Sequence, residues 1–233
     1  MKINGRAMLR RAVGFVCAVS AALAMLALII DAVGTSAPLM LSLMTRRAPA
    51  EATGLDAAAY DECAVMIAGY LGGSVETFQL TASVNGGEPS EVFNSGEQAH
   101  MADCLTLFCL CRTVAMTALL VCLVCAAALF FLRRPDHRGV QGFRAGLYMV
   151  LALVAALLIW GLIDFDSLFV LFHRLSFTND LWLMNPATDM IIRLMPITFF
   201  TDYALIIGGT WVGMLCLADM VIGFATRKKR KRT

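Results

Sequence analysis

The chain has 233 residues, of which 59% are hydrophobic and only 15% carry a charge. Soluble domains carry about 25% charged residues and less apolar content, so this composition excludes an ordinary soluble protein and indicates an integral membrane protein. The formal net charge of +2 conceals a strong segregation of basic and acidic residues along the chain.

A basic segment followed by an apolar run opens the chain. Residues 1–11 contain four basic residues and no acid, and residues 12–30 are apolar and uncharged. The run has about the 20 residues that a spanning helix needs, and it exceeds the roughly 7–15 residues of a signal-peptide core. We therefore predict an uncleaved first span over about residues 12–33.

Residues 34–103 are predicted to form a first outer loop, because they are rich in acidic residues and lack a long apolar run. A helix is predicted over residues 56–71, where Gly72-Gly73 ends it. Apolar and polar residues alternate over residues 78–84, and Asn85-Gly86-Gly87 then turns the chain. This pattern predicts a β-hairpin.

The second span is predicted to continue from a helix that begins outside the membrane. Ser95-Gly96-Glu97-Gln98 has the form of a capping box, with Ser95 as the N-cap. The helix should start near Gly96, carry His100 in its first turns and run on through a span over about residues 104–132. Arg112 lies within that span, where a charge is costly. Arg112 has either a functional role or a structural one. In the structural role, its side chain reaches the membrane interface or pairs with an acid.

Two further spans are predicted, over about residues 145–163 and 203–226. Residues 133–144 carry four arginines against one acid, and residues 227–232 are all basic. By the positive-inside rule these segments are cytoplasmic, as is the amino terminus. The basic tail is expected to set topology and contact anionic lipid rather than nucleic acid. We predict a multi-pass protein of the plasma membrane with both termini in the cytoplasm.

The second outer loop is predicted to cover about residues 164–202. Its first part, residues 164–177, mixes charged residues with large apolar ones, which favours a helix lying at the membrane surface. On that helix Asp166 and His173 share one face, because they are two turns apart. Trp182 is interpreted as an interface anchor, and a short helix is predicted over residues 185–196.

The predicted fold class is an all-α integral membrane protein that forms a single membrane domain. It has four transmembrane helices, a small α+β extracytoplasmic segment and a membrane-surface helix in the second outer loop. This topology places His100 and His173 on the same outer side, each at the membrane boundary. His137, the third histidine, lies on the inner side.

The histidines are the candidate chemical groups. Glu97, His100 and Asp103 are spaced by three residues, so they project from neighbouring turns of one helix. A carboxylate beside an imidazole raises its basicity, which suits a general base. The ordinary alternative for such clusters is a solvated or structural role. A zinc site is less favoured, because no pair of histidines has metal-ligand spacing on one helix. No phosphate loop, nucleophile elbow or nucleotide motif is present.

Two patterns in this chain resemble a known bacterial four-span family. Glu97, His100, Met101 and Asp103 follow its E-x-x-H-M-x-D signature. The second half is similar to the family's ordered pattern of F, H, F, W, P, D and P, at Phe169, His173, Phe177, Trp182, Pro186, Asp189 and Pro196. The family is that of lipoprotein intramolecular transacylase.

The resemblance implies that His100 and His173 are the catalytic pair of an acyltransferase. The implied reaction moves the sn-2 acyl chain of a diacylglyceryl-cysteine lipoprotein to the α-amine of that cysteine, giving a lyso-form lipoprotein. The expected partners are a diacylated lipoprotein and membrane lipid, and neither a cofactor nor a metal is expected. Glu97, Asp103, Arg112 and Asp166 are the expected supporting residues.

Two histidines suffice for the reaction if one is the base and the other is the donor to the oxyanion or leaving group, and the sequence leaves both assignments open. The carboxylate neighbours of His100 favour His100 as the base and His173 as the donor. A non-catalytic membrane protein of the same fold, acting as a lipid-binding or partner-binding module, is the alternative function.

Overall fold

A computed structural model of the protein describes residues 5–131 and 137–230, with side chains described as far as residue 224. The first four residues, the last residue of the predicted second span and part of the predicted basic turn (together residues 132–136), and the side chains of the basic tail lie outside the described residues. The helices are α1 (Gly5–Gly34), α2 (Ala37–Arg47), α3 (Ala50–Thr53), α4 (Ala57–Gly72), α5 (Ser95–Phe131), α6 (His137–Ile163), α7 (Phe165–Ser176), α8 (Met190–Leu194) and α9 (Ile197–Arg230), and the strands are β1 (Thr81–Ala82) and β2 (Ser90–Glu91).

Four of these helices are long and apolar enough to cross a membrane: α1, α5, α6 and residues Ile197–Phe224 of α9. Many of their large apolar side chains point away from the protein; Leu120 is 62% exposed and Leu153 is 61% exposed. So much exposed apolar surface is unfavourable in water but suits contact with acyl chains. The predicted fold class, a helical integral membrane protein with few short strands, is confirmed.

The chain divides into two compact units. Unit 1 is formed by the described parts of Met1–Ile29, Arg112–Trp160 and Ile207–Thr233. Its helices α1 and α6 approach so closely that a Cβ atom on Gly142 would clash with the carbonyl oxygen of Arg11. Small residues allow this kind of contact between membrane helices. The buried indole of Trp211 also donates to the Ala22 carbonyl at 2.9 Å.

Unit 2 comprises Ile30–Cys111 and Gly161–Ile206, and it contains the main cluster of buried apolar side chains. Phe93, Leu194 and Phe199 are among the members of this cluster that are almost fully buried. The guanidinium of Arg47 makes two hydrogen bonds to the Asp202 carboxylate, both 2.6 Å long. Unit 2 carries both candidate histidines.

The first two elements predicted for residues 34–103 are present. Helix α4 begins after Asp56, whose carboxylate accepts from the Ala59 N–H, and it ends at Gly72, before the left-handed Gly73, which has a φ of 79°. The strands β1 and β2 pair antiparallel, and the turn between them places Asn85 and Gly86 at φ values of 54° and 70°. Asn and Gly tolerate this left-handed conformation, so the local sequence determines the hairpin.

The capping box of α5 lies one residue earlier than predicted. The Asn94 side chain accepts a hydrogen bond from the Glu97 N–H at 3.1 Å. The Glu97 carboxylate in turn accepts a hydrogen bond from the Asn94 N–H at 2.8 Å. Asn94 is therefore the N-cap, and the prediction of Ser95 in this role was wrong. The Gln98 amide instead donates to the Phe93 carbonyl at 2.9 Å.

The helix predicted over residues 185–196 was wrong in its first half. The Asn185 side chain accepts from the Ala187 N–H at 3.0 Å, which forms a local turn instead of a helical start. Helix α8 begins only at Met190 and has five residues. This turn brings Asp189 beside the start of α5.

Candidate functional site: two histidines from separate helices

His100 lies in the second turn of α5, where packing rather than solvent surrounds it. The residue is only 7% exposed. Its Nε2 atom lies 3.5 Å from the Cys104 Sγ atom, one turn further along the helix. Its Nδ1 atom is buried and has no hydrogen-bond partner within the described part of the chain.

His173 lies in the last turn of α7 and is also 7% exposed. Helix α7 begins at the predicted stretch, where the Asp164 carboxylate caps it by accepting from the Ser167 N–H at 3.0 Å. The His173 Nδ1 atom is 2.8 Å from the Phe169 carbonyl oxygen. Because a carbonyl only accepts, Nδ1 carries the hydrogen and Nε2 keeps a free lone pair.

Aromatic rings surround the His173 imidazole. The ring centroid of Phe169 is 4.0 Å away and that of Trp182 is 5.0 Å away, while Phe172 and Phe177 lie at 5.3 Å and 5.5 Å. Burial in this apolar setting lowers the pKa of His173 below its ordinary value, against a smaller opposite effect of the Phe169 carbonyl. The imidazole is therefore neutral at neutral pH.

The two histidines come together in unit 2. Their ring centroids are 6.2 Å apart and their planes are inclined by 24°. The ring of Phe177 contacts both, with centroid distances of 5.0 Å to His100 and 5.5 Å to His173. Two imidazoles at this separation can reach the same small reacting group.

Glu97 holds the local backbone rather than the His100 imidazole. It is 2% exposed, and its two oxygens accept from the Ile191 N–H at 2.6 Å and the Asn94 N–H at 2.8 Å. Glu97 thus connects the start of α5 to the first turn of α8. The carboxylate that was expected to raise the basicity of His100 is engaged elsewhere.

Asp189 strengthens the same connection. One of its oxygens accepts from the Asn94 amide at 2.9 Å, and the other accepts from the Asn185 N–H at 2.6 Å. The Asn185 hydrogen bond is the main reason that the pKa of Asp189 lies below its ordinary value. These bonds fix the loop before α8 against the helix that carries His100.

Among the described residues, neither Asp103 nor Asp166 makes a hydrogen bond to a histidine ring. Asp103 accepts from the Asn179 amide at 2.8 Å and so links α5 to the segment after α7. Asp166 is exposed and has no hydrogen bond or ion pair with the described residues. Arg112 belongs to unit 1, whereas His100 and His173 belong to unit 2.

The described residues contain no group of three His, Cys, Asp or Glu side chains placed to hold a metal ion. The donors that do lie close together, such as His100 and Cys104, form a pair and not a coordination shell. Acid–base chemistry is what the arrangement can support directly.

Sequence reasoning missed several neighbours of the histidines. Trp182 was interpreted as an interface anchor, but its ring packs on His173. The spacing of four residues between His100 and Cys104 could have revealed their contact. Nothing in the local sequence indicates that Asn179 reaches Asp103 or that Asn94 reaches Asp189, because these partners are 76 and 95 residues apart in the chain.

Comparison with protein families matches residues 15–200 to the family described as lipoprotein intramolecular transacylase Lit. The chain belongs to the lipoprotein intramolecular transacylase family. The resemblance predicted from the sequence is thereby confirmed, and the chain is an acyltransferase of the multi-pass membrane class. Comparison with curated proteins gives no match.

Solved structures of a lipoprotein intramolecular transacylase have the same fold. The membrane integral enzyme from Bacillus cereus is 20% identical and superposes with a TM-score of 0.78, covering 96% of this chain and 99% of that one. Variants of that protein with one histidine replaced, by arginine or by alanine, are each 19% identical with a TM-score of 0.74. The first covers 98% of this chain and 96% of that one, and the second 97% of each.

The lowered pKa of His173 can be measured by NMR titration of the histidine ring in the purified protein. We expect a midpoint below the ordinary value of about 6.5, because burial disfavours the imidazolium. Trp182→Ala should raise the midpoint towards that value by admitting water. His173→Gln identifies the resonance, and a midpoint at or above 6.5 in the parent chain would contradict the aromatic enclosure.

Glu97→Ala should lower the stability of the protein by about 3 kcal/mol, because the Ile191 and Asn94 N–H groups lose their acceptor at the same time. Thermal unfolding in detergent measures the change. Asp166→Ala removes an exposed carboxylate and should leave the unfolding midpoint where it is. Equal midpoints for the two variants would show that the Glu97 hydrogen bonds contribute nothing to stability.

Proposed function

We propose that this chain moves the sn-2 acyl chain of a diacylglyceryl-cysteine lipoprotein to the α-amine of the same cysteine, with His100 and His173 as the catalytic pair. The observation that carries this proposal is the meeting of two buried imidazoles, one from α5 and one from α7, with centroids 6.2 Å apart. The family assignment supplies the reaction class, and this pair supplies groups suited to it.

His173 is the general base in this proposal. Its Nδ1–H donates to the Phe169 carbonyl at 2.8 Å, so its Nε2 lone pair can accept a proton from the attacking amine. The lowered pKa keeps the ring neutral and ready for this role. The α-amine has an ordinary pKa of about 7.7–8.0, so a neutral imidazole can take its proton as the new bond forms.

His100 is the hydrogen-bond donor to the oxyanion. This reverses the roles expected from the sequence, where its carboxylate neighbours favoured His100 as the base. Glu97 is engaged by two backbone N–H groups and Asp103 by Asn179, so these contacts give neither carboxylate a hydrogen bond to the imidazole. A ring nitrogen of His100 that has no partner is suited to bind a substrate oxygen.

The reaction balances without a protein nucleophile. The amine nitrogen attacks the carbonyl carbon of the sn-2 ester while Nε2 of His173 accepts a proton, and an N–H of His100 stabilises the oxyanion. The C–O bond then breaks, and the His173 imidazolium protonates the departing glycerol oxygen. The products are an N-acyl cysteine and a free sn-2 hydroxyl. Because donor and acceptor belong to one molecule, the reaction gains from their proximity.

The apolar surroundings suit a lipid ester. Phe172, which contacts the His173 ring, is 53% exposed, and Leu175 on the same helix is 78% exposed. These side chains give α7 an apolar exterior next to a buried imidazole. An acyl chain can pack against that surface while its ester reaches the two histidines.

The orientation in the membrane is also proposed. The three basic segments predict that both termini and residues 133–144 are cytoplasmic, which leaves residues 34–103 and 164–202 on the outer side. A membrane-impermeant maleimide should label Glu88→Cys in intact cells but not His137→Cys, relative to the parent chain. Both positions are exposed in the structure. The opposite labelling pattern would reverse the topology.

His173→Gln and His100→Gln should each reduce formation of lyso-form lipoprotein by about 100-fold or more, since a general base and an oxyanion donor each contribute about that much. Mass spectrometry of lipoprotein amino-terminal peptides, from cells expressing each variant and a diacylated lipoprotein, measures the N-acyl product.

His137→Gln is the matched control, because His137 is an exposed histidine at the start of α6 and should leave product formation unchanged. Thermal unfolding confirms that the variants fold. Full product formation by both folded His100 and His173 variants would reject the catalytic pair. Absence of the product from the parent chain would favour the non-catalytic alternative.

A further inference from the structure

Within the described part of the chain, the His100 ring has one hydrogen-bond contact, which it makes with Cys104. Its Sγ atom is 3.5 Å from Nε2 of His100, and the side chain is partly buried in α5. The other nitrogen of the ring, Nδ1, is buried and has no hydrogen-bond partner among the described residues. A buried polar atom without a partner costs stability, so it calls for a functional explanation.

We propose that Cys104 is a positioning residue, whose S–H group donates to Nε2 of His100 and thereby places the ring hydrogen on Nδ1. The inference rests on the proposed function, in which His100 supplies an N–H to the oxyanion. It names the group that gives His100 the form required for this role.

The direction of the hydrogen bond follows from the chemistry of the two groups. Burial favours the neutral forms of a thiol and an imidazole. The contact between Sγ and Nε2 therefore contains one hydrogen, which belongs either to the thiol or to the ring. Thiol sulfur is a weak acceptor, whereas the unprotonated nitrogen of an imidazole is a good one. The thiol therefore donates, and the only other ring nitrogen carries the remaining hydrogen.

The proposed reaction also requires a hydrogen on Nδ1 of His100. His173 already presents a lone pair, because its Nδ1–H is held by the Phe169 carbonyl. If His100 presented a second lone pair, the site would contain two acceptors and no donor for the oxyanion. With its hydrogen on Nδ1, His100 complements His173, and the unpaired buried nitrogen becomes a donor held ready for the substrate.

The first test reads the hydrogen position directly. Full-length protein labelled with ¹⁵N-histidine in nanodiscs gives ¹⁵N shifts that distinguish the two neutral forms, with His100→Gln identifying the signals. The parent chain and Cys104→Ser should carry the hydrogen on Nδ1, and Cys104→Ala should shift towards Nε2. The same form in the parent chain and Cys104→Ala, or an Nε2 hydrogen in the parent chain, would overturn the proposal.

The second test measures the rate with a synthetic diacylglyceryl-cysteine peptide. Cys104→Ala should lower kcat about fivefold with little change in KM, as expected for one lost hydrogen bond of ordinary strength. Cys104→Ser should restore most of the rate. Cys216→Ala, at an exposed cysteine of α9, should leave the rate unchanged. Complete loss in Cys104→Ala, with an acyl thioester on the parent thiol, would overturn the positioning role in favour of a nucleophile.

The two tests separate this inference from the proposed function. The hydrogen position is read without substrate, so it does not depend on the reaction. The His100→Gln variant could remain fully active while the ¹⁵N shifts of His100, read in chains that keep this residue, still change on Cys104→Ala. In that case the proposed function would fail and the thiol–imidazole hydrogen bond would stand.

Discussion

A buried carboxylate is stable only where hydrogen-bond donors surround it, and Glu97 satisfies this constraint by accepting from two separate stretches of backbone. One donor is in the cap of α5, and the other is in the first turn of α8, 94 residues from Glu97 in sequence. The position of His100, one turn after Glu97, therefore depends on a segment that follows α6 and α7 in the sequence. The Asn94–Asp189 hydrogen bond reinforces this connection.

The second constraint is the desolvation of His173. Its aromatic neighbours exclude water, which disfavours the imidazolium and lowers the pKa, while the Phe169 carbonyl holds the hydrogen on Nδ1. A neutral ring with a directed lone pair is the form that a base for an amine requires. In the proposed reaction the two histidines differ because their surroundings differ: a carbonyl determines the hydrogen position in His173 and a thiol determines it in His100.

Local signals in the sequence predicted local structure well. Asn85-Gly86 adopts the left-handed turn that its residues favour, and Asp56 and Gly73 delimit α4 much as expected. The predictions were wrong where the local sequence was compatible with two structures. Ser95 and Asn94 are both good N-caps, and the choice between them was made by Glu97, whose burial depends on α8. Likewise Asn185-Pro186 can open a helix or a turn, and the turn prevails because Asn185 also binds Asp189.

The sequence by itself determined the membrane class, the four apolar helices and the two candidate histidines, because hydropathy, charge segregation and motif spacing are properties of the linear chain. It could not determine which side chains contact those histidines. Glu97 and Asp166 have suitable helical spacing, yet one binds distant backbone and the other is exposed. Trp182, Phe169 and Cys104 set the environment of the two rings instead. Only the tertiary structure decided this, because burial and hydrogen-bond direction depend on what the rest of the chain places beside each ring.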